Sequence, residues 1–334
     1  MGVNFKDITV REPIRLTDLS GKTLAIDAYN MLYQFLSTIR APNGSYFTDS
    51  HGEVTSHLIG LFNRVTALLS KKVKLVFVFD GIPPVLKTAE IARRRAIKDS
   101  AKVAYEEAAA LEGTEGMKKY AIRTTSLTEK MIVDAKELLL AMGIPCVDAP
   151  SEAEAQCAFM VEKGIAWAAA SQDYDALLFG APRVIQNLSV AGRKGKDSHP
   201  VTPQLIVLDT MLLKLGIGRE KLIWLAMLIG TDYNGSGVKG IGPKKGLNLV
   251  KHFTKAEDLF SAVQWTCDAS WQEVLRTFTA MPVQDVHPVF GRLDSAAVLR
   301  FLVEKHDFSR DRVNETLSSL RVQPSSQRAL GDFT

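Results

Sequence analysis

Several short, β-rich apolar runs in this chain end on or just before a carboxylate. TLAIDAYN carries Asp27, KLVFVFDG carries Asp80, and AAASQDYDALLFG carries Asp173 and Asp175. Glu152 and Glu154 follow the short segment IPCVDAP, and Asp232 follows the apolar LIWLAMLIG. Apolar runs of this length read as buried parallel strands. The carboxyl ends of strands in an open parallel sheet line one crevice, and ligands bind there. The pattern therefore predicts a sheet whose crevice collects seven acidic side chains. Carboxylates gathered in one place repel one another unless a cation offsets them. Hard oxygen donors suit Mg²⁺, with Mn²⁺ as a substitute. Two such ions are the common apparatus for cutting or joining phosphodiesters.

The charge balance fits that reading without proving it. The chain has 334 residues, with 41 basic and 37 acidic. With the seven crevice carboxylates set aside, the body is clearly basic, as suits a polyanionic substrate. A solvated mixed-charge surface would give the same totals. Cys146, Cys157 and Cys267 form no CxxC pair, so neither a zinc site nor a disulfide framework is expected. Sparse cysteines predict an intracellular protein, cytoplasmic if the source is archaeal. No signal peptide, myristoylation pattern or membrane span is expected. MGVNFKDITV is polar, Lys6 stands where Ser or Thr is needed, and the longest apolar run, 222–230, is short.

The order of elements predicts an α/β fold: a mostly parallel central sheet flanked by helices. Strands are expected at 22–28, 74–80, 144–150, 165–171 and 183–190. Helices are expected from about 29 to 39, at 56–70 with Ser56 as N-cap, at 127–143, at 151–164 capped by Ser151, and at 219–230. The basic segment from about 85 to 120 has high helix propensity but a weak apolar face. It reads as a helix ordered by substrate or as a plain solvated one. AGRKGKDSHP (191–200) reads as a basic, flexible loop, and the chain beyond about 250 as mostly helical.

Each acidic residue also has a structural reading. Asp27 and Asp80 could be helix caps or turn formers. Ser151-x-x-Glu154 fits a capping box, and Glu152 would be favoured by a helix dipole. Asp173 and Asp175 are harder to explain structurally, since in extended chain their side chains share a face. A second constellation is GTDYNGSGVKGIGPKKG (230–246). Its glycines permit close phosphate approach, a helix N-terminus follows, and Lys244 and Lys245 add charge. This is the style of a helix-hairpin-helix grip on duplex backbone. Lys87 and Arg94 stand two helical turns apart and could stabilise a phosphate or lie on a solvated face. Tyr33 could stack on a base or simply pack.

Taken together, the chain resembles the flap endonucleases of the structure-specific 5′-nuclease superfamily, of archaeal type. The resemblance rests on MGV, AIDAYNMLYQFL, SHLIGLFNR, VFVFDGIPP, DAPSEAEAQ, ASQDYDALLFGAPR and GTDYNGSGVKGIGPKKG, in that order. It implies that Asp27, Asp80, Glu152, Glu154, Asp173, Asp175 and Asp232 hold two Mg²⁺ ions. Lys87 and Arg94 would contact the scissile phosphate at the base of a helical arch. Gly2, Tyr33 and Arg64 would lie along the DNA, and Lys239, Gly240, Gly242, Lys244 and Lys245 would hold duplex, with K⁺ at the hairpin. The loop and helix at 41–64 would bound the DNA bend and a one-nucleotide 3′ flap pocket. The implied regions are 1–105 (nuclease and start of arch), 106–130 (arch), 131–225 (nuclease), 226–320 (hairpin and helical part) and 321–334 (tail).

The expected activity is 5′ flap endonuclease with 5′–3′ exonuclease, serving Okazaki fragment maturation and long-patch base excision repair. The partners would be branched DNA with a 5′ flap and the sliding clamp PCNA. The clamp would take Gln327, Leu330 and Phe333, although Thr334 stands where a second aromatic is common. The rivals are another junction-cutting or exonucleolytic member, a haloacid-dehalogenase-type phosphatase, and a non-catalytic DNA- or clamp-binding scaffold. Gly81-Ile82 lacks the phosphatase D-x-D, and a pure DNA binder gains nothing from clustered carboxylates.

Overall fold

A computed structural model describes residues 2–110, 125–189, 193–194, 199–235 and 237–321. Five strands form the parallel centre of a seven-stranded sheet. They are β2 (Thr23–Asp27), β3 (Lys74–Phe79), β4 (Cys146–Asp148), β5 (Ala168–Ala170) and β6 (Arg183–Gln186). Their spatial order is β6-β5-β2-β3-β4, every adjacent pair parallel. The β6 edge is extended by β9 (Gln204–Val207) and β1 (Glu12–Pro13), both antiparallel to their neighbours. The mostly parallel α/β sheet is thus the one the sequence predicts. The chain reverses at β5–β2, where the crevice opens.

Both faces of the sheet are covered, which explains the continuous apolar runs. Side chains alternate: Val76 and Val78 of β3 enter one core, while Leu75, Phe77 and Phe79 enter the other. The first core packs helices Ala153–Glu162, Leu208–Leu215 and Arg219–Ile229 against the sheet. The second packs Ala28–Thr38, Ser56–Leu69, Glu129–Ala141 and the C-terminal helices, of which Arg310–Arg321 is the last. Among the described residues, no helix is long and apolar enough to cross a membrane.

Four expectations change. The helix expected from 151 begins at Ala153, its N-cap is Glu152, and Ser151 Oγ instead donates to the Ile82 carbonyl at 2.8 Å. The capping box is therefore absent. A carboxylate from the neighbouring strand does that work: Asp80 Oδ1 accepts from Ala153 N–H at 2.7 Å. Ser56 likewise is not an N-cap. Thr55 takes that place, and Ser56 Oγ accepts from Phe47 N–H at 2.9 Å. Strands 144–150, 165–171 and 183–190 shorten to β4, β5 and β6, although Ala166 and Leu188 outside β5 and β6 stay in the cores. Within the basic 191–200 loop, β7 (Arg193–Lys194) pairs antiparallel with β8 (His199–Pro200), and the rest lies outside the described residues. Residues 111–124 of the expected arch and the expected clamp-binding Gln327, Leu330 and Phe333 also lie outside them.

Candidate active site

All seven predicted carboxylates meet at one end of the sheet. Asp27 ends β2, Asp80 follows β3, and Glu152 and Glu154 open the helix after β4. Asp173 and Asp175 follow β5, and Asp232 follows the Arg219–Ile229 helix. Two of them keep the structural duties weighed above. Asp27 caps the Ala28–Thr38 helix, accepting from Asn30 N–H at 3.0 Å, and Asp80 caps the helix from Ala153. Capping and membership of the cluster thus coincide in the same side chains.

Neutral groups knit the cluster together. Ser171 Oγ lies 3.2 Å from Asp27 Oδ2 and 3.4 Å from Glu154 Oε1. Asn30 Nδ2 donates to Asp173 Oδ2 at 3.0 Å, and Asn30 Oδ1 accepts from Gln172 N–H at 3.1 Å. Val3 N–H donates to Asp175 Oδ1 at 3.1 Å. Gly2 packs so closely that a Cβ there would meet Asp175 Oδ2 at 2.2 Å.

Two cations reach the cluster from the 85–110 segment. Lys87, at the end of a 3₁₀ turn, bonds Glu152 and lies 3.7 Å from Asp232 Oδ2. Arg94, on the Thr88–Ala110 helix, bonds Asp232. Glu90 holds Arg94 Nε and Arg93 Nε, each at 2.7 Å. That pairing draws the Glu90 carboxyl down to about 2. Burial alone would lower the Lys87 ammonium, but Glu152 beside it raises it above its ordinary value. A cleft of about 420 Å³ opens beside Asp232, walled by Val85, Leu86, Glu90 and Arg93 on one side and Tyr233–Gly235 on the other.

Lys87 and Arg94 leave most of the seven acids raised. Burial, with the charge of Asp80 added, pushes the Asp27 carboxyl up to about 8. Burial and then Asp173 push Asp175 up to about 7. Asp80, Glu152, Glu154 and Asp173 are raised as well, each chiefly by burial. Raised carboxyls in a cleft mark a site that accepts positive charge. Among the described residues, no three acidic, histidine or cysteine side chains already stand close enough to cage an ion. The donor set nevertheless fits a hard divalent cation: it is all oxygen and carries excess negative charge. Cys157 is no rival ligand, since burial beside Asp27 and Glu154 holds its thiol protonated.

The second constellation sits next to this cluster. Thr231 N–H and Oγ–H both donate to Asn234 Oδ1, and Asn234 Nδ2 donates to the Met227 carbonyl at 2.7 Å. The turn is thereby fixed to the helix that precedes Asp232. Gly237 has φ +66°, and a Cβ there would lie 2.4 Å from the Ile229 carbonyl carbon. Gly242 is the N-cap and Pro243 the first residue of the Pro243–His252 helix. Lys239, Gly240, Gly242, Lys244 and Lys245 are all exposed.

Other predicted residues are placed differently. Tyr33 is half-buried on the Ala28–Thr38 helix. Arg64 is buried, its Nε bonds the Leu188 carbonyl, and burial lowers its guanidinium to about 10. Sequence reasoning missed Asn30, Ser171 and Glu90. The signals were present: Asn30 stands three residues after Asp27, Ser171 precedes the D-x-D, and Glu90 lies four residues before Arg94.

Comparison with known proteins agrees with this geometry. Residues 5–101 match the XPG N-terminal domain and residues 143–232 the XPG I-region. Flap endonuclease 1 of Pyrococcus abyssi is 46% identical over 326 residues, covering 96% of this chain and 94% of the relative. The structure of flap endonuclease-1 from Methanococcus jannaschii superposes with a TM-score of 0.75 at 40% identity, covering 96% of this chain and 98% of that one. The catalytic core of Rad2 in complex with DNA substrate gives 0.72 at 26% identity, with 96% and 100% covered.

Proposed function

This chain belongs to the flap endonuclease family of DNA nucleases, and from that premise we propose that it hydrolyses a phosphodiester at a single-strand/duplex junction with two divalent ions held by its seven cleft carboxylates. The observation that carries the proposal is the cluster of seven acids at the strand carboxyl ends, most of whose carboxyls stay raised although Lys87 and Arg94 reach it.

Asp27, Asp80, Glu152, Glu154, Asp173, Asp175 and Asp232 would hold Mg²⁺, or Mn²⁺ in its place. Bound there, such ions supply Lewis acidity toward the phosphate and a more acidic attacking water. The chain's own cations do the rest. Lys87 and Arg94 now bond Glu152 and Asp232, so each is already aimed into the crevice. When carboxylate charge is taken up by metal, both are free to turn to a phosphate and to stabilise charge as it develops. Asn30 and Ser171 hold Asp173, Asp27 and Glu154 in register, so the acids need little reorganisation.

Lys239, Gly240, Gly242, Lys244 and Lys245 would grip duplex through its phosphates, with the N–H groups of Lys244 and Lys245 in the first turn of the helix that Pro243 opens. Because Asn234 ties that turn to the helix before Asp232, duplex grip and cutting site share one rigid connection. K⁺ would sit at the 234–245 hairpin, held by loop carbonyls. Gly2 and Tyr33 would line the DNA near the cut, with the buried Arg64 supporting the helix behind them. Specificity would come from shape and bending rather than base sequence. The biological role would be Okazaki fragment maturation and long-patch repair inside an archaeal cell, with PCNA engaged by Gln327, Leu330 and Phe333.

Cleavage of a double-flap DNA carrying a one-nucleotide 3′ flap tests the proposal. A single cut one nucleotide inside the duplex, lost in EDTA, is expected. Equal cutting in EDTA, or cutting that ignores the flap, would refute it. Loss of clamp stimulation on deleting 327–334 tests the tail.

A further inference from the structure

The two carboxylates of the D-x-D are separated by a side chain that belongs to a different network. Tyr174 is buried, and its hydroxyl accepts from the Arg11 guanidinium. Arg11 Nη2 also donates to the Lys6 carbonyl at 3.0 Å, and its guanidinium carbon lies 5.7 Å from the centre of the Tyr174 ring. Phe5, fully buried, packs on the same ring at 6.0 Å between centroids. Thr9 Oγ and the Ile8 and Thr9 N–H groups all close on the Phe5 carbonyl. Residues 3–11 therefore form one compact turn, buttoned to Tyr174. The far end of this turn runs into β1, which pairs with β9 at the sheet edge.

The near end of the same turn delivers Val3 N–H to Asp175 Oδ1, and Gly2 packs flat against that carboxyl. Asp173, on the other side of Tyr174, is held by Asn30. Tyr174, with φ −94° and ψ −3°, is the N-cap of the Asp175–Leu178 helix, and Asp175 is that helix's first residue. Anchoring the middle residue of D-x-D thus fixes where the helix begins, and with it the placement of the acids on either side. The Arg11 Nε is buried and makes no hydrogen bond among the described residues. Such a group is costly to keep unless the rest of the guanidinium is needed where it is.

We propose that Arg11 and Tyr174 are positioning residues for the cleft: their bond sets the aim of Asp173 and Asp175 toward the divalent ions. This rests on the reading of those two acids as metal ligands. Arg11 meets Lys6 and Tyr174, and the Tyr174 ring meets Phe5, so both act from behind the acids. Partners that orient metal ligands from behind typically matter by about 10- to 100-fold in metal affinity or rate.

The test is Tyr174→Phe, which removes one hydroxyl and keeps the ring in its packing. The Mg²⁺ needed for half-maximal flap cleavage should rise about 10-fold. Mn²⁺ uptake by the DNA-free protein, read from the free-ion electron paramagnetic resonance signal, should weaken to match. DNA binding in EDTA should stay within twofold of the parent. Arg11→Met should behave alike, and the double variant should be no worse than either single one, because the pair acts as a unit. If Arg11→Met does not fold, Tyr174→Phe decides alone. A Tyr174→Phe protein that melts earlier but takes up Mn²⁺ normally would reduce the pair to a structural contact and overturn the proposal. So would additive single effects. A parent that cuts without any divalent ion would overturn this inference and the metal reading together, whereas a metal-dependent parent matched by both variants overturns this inference alone.

Discussion

Two clusters of buried charge among the described residues are settled in opposite ways. One joins the 41–55 loop to the C-terminal helices. Asp49 accepts from Glu53 N–H at 2.8 Å and His51 N–H at 3.0 Å, and its Oδ2 lies 2.9 Å from His306 Nδ1. Lys305 Nζ donates to Asp134 at 3.0 Å and to Glu137 at 2.8 Å, while Ser50 N–H donates to Asp307 at 2.7 Å. Burial alone would raise the Asp49 carboxyl, but His306 and the two backbone donors bring it below its usual range. The other cluster is the crevice, where burial and mutual repulsion drive Asp27 and Asp175 far above that range. Both clusters hold buried acids. At Asp49 the partners outweigh burial; at Asp27 and Asp175, hydrogen-bonded though they are, burial and repulsion win. Charge that serves the fold is satisfied within the fold, and charge left unbalanced points to something the protein binds.

That contrast can be broken from either side. The largest effect is expected for Asp175→Asn. Flap cleavage should fall roughly a thousandfold, as when several kcal/mol of transition-state stabilisation are withdrawn. Binding of the same DNA in EDTA should survive, and the melting temperature should hold or rise, because Asn can still accept from Val3 N–H while a repelling charge is gone. Next comes Lys87→Ala. Loss of about a hundredfold in rate is expected, the scale of one electrostatic donor at a reacting centre, with single-turnover kinetics as the check.

Asp49→Ala probes the opposite cluster. Breaking a buried pair should cost about 3 kcal/mol of stability in a denaturant melt, while the cleavage rate of the folded protein stays within about threefold. The reverse pattern, stability kept and rate lost, would erase the distinction between the two clusters. His57 lies nearby and sharpens it. Burial lowers its imidazole from the ordinary 6.5 to about 4, so the folded chain holds the ring neutral. The unfolded chain takes up the proton first, below pH 6.5. The stability His57 contributes is therefore complete above pH 6.5 and is lost as pH falls toward 4, by about 3 kcal/mol. Denaturant melts at several pH values should show this slope, and His57→Asn should flatten it. The smallest effect is expected at the hairpin. Lys245→Ala should weaken duplex binding about two- to threefold and reduce the salt slope by about one, as for one lost phosphate contact.

Much of the site could be read from the chain because its chemistry is tied to strand ends. Asp27, Asp80 and Asp173 follow apolar runs that can only be buried strands, so their convergence follows from parallel topology. The double role of Asp27 and Asp80 as caps was also legible, as competing readings that turned out to hold together. The Ser151 cap was misread because a serine three residues before a glutamate signals a cap locally. The structure gives that N–H to Asp80, from a strand distant in sequence. Local patterns cannot see such tertiary substitutions. The same limit hid β1 and β9, whose two and four residues carry little period, and the Asp49–His306 pair, which joins residues 257 positions apart. Arg64 shows the limit for a charged residue: its helix position is readable, but not that its guanidinium turns inward to the Leu188 carbonyl.

The most direct test of the contrast is Mn²⁺ uptake by the DNA-free protein at millimolar ion, measured by electron paramagnetic resonance on the parent, Asp173→Asn/Asp175→Asn and Asp49→Asn. The account predicts uptake by the parent, strong loss in the crevice variant and no change in Asp49→Asn. Absent uptake by the parent, or equal loss in both variants, would contradict it.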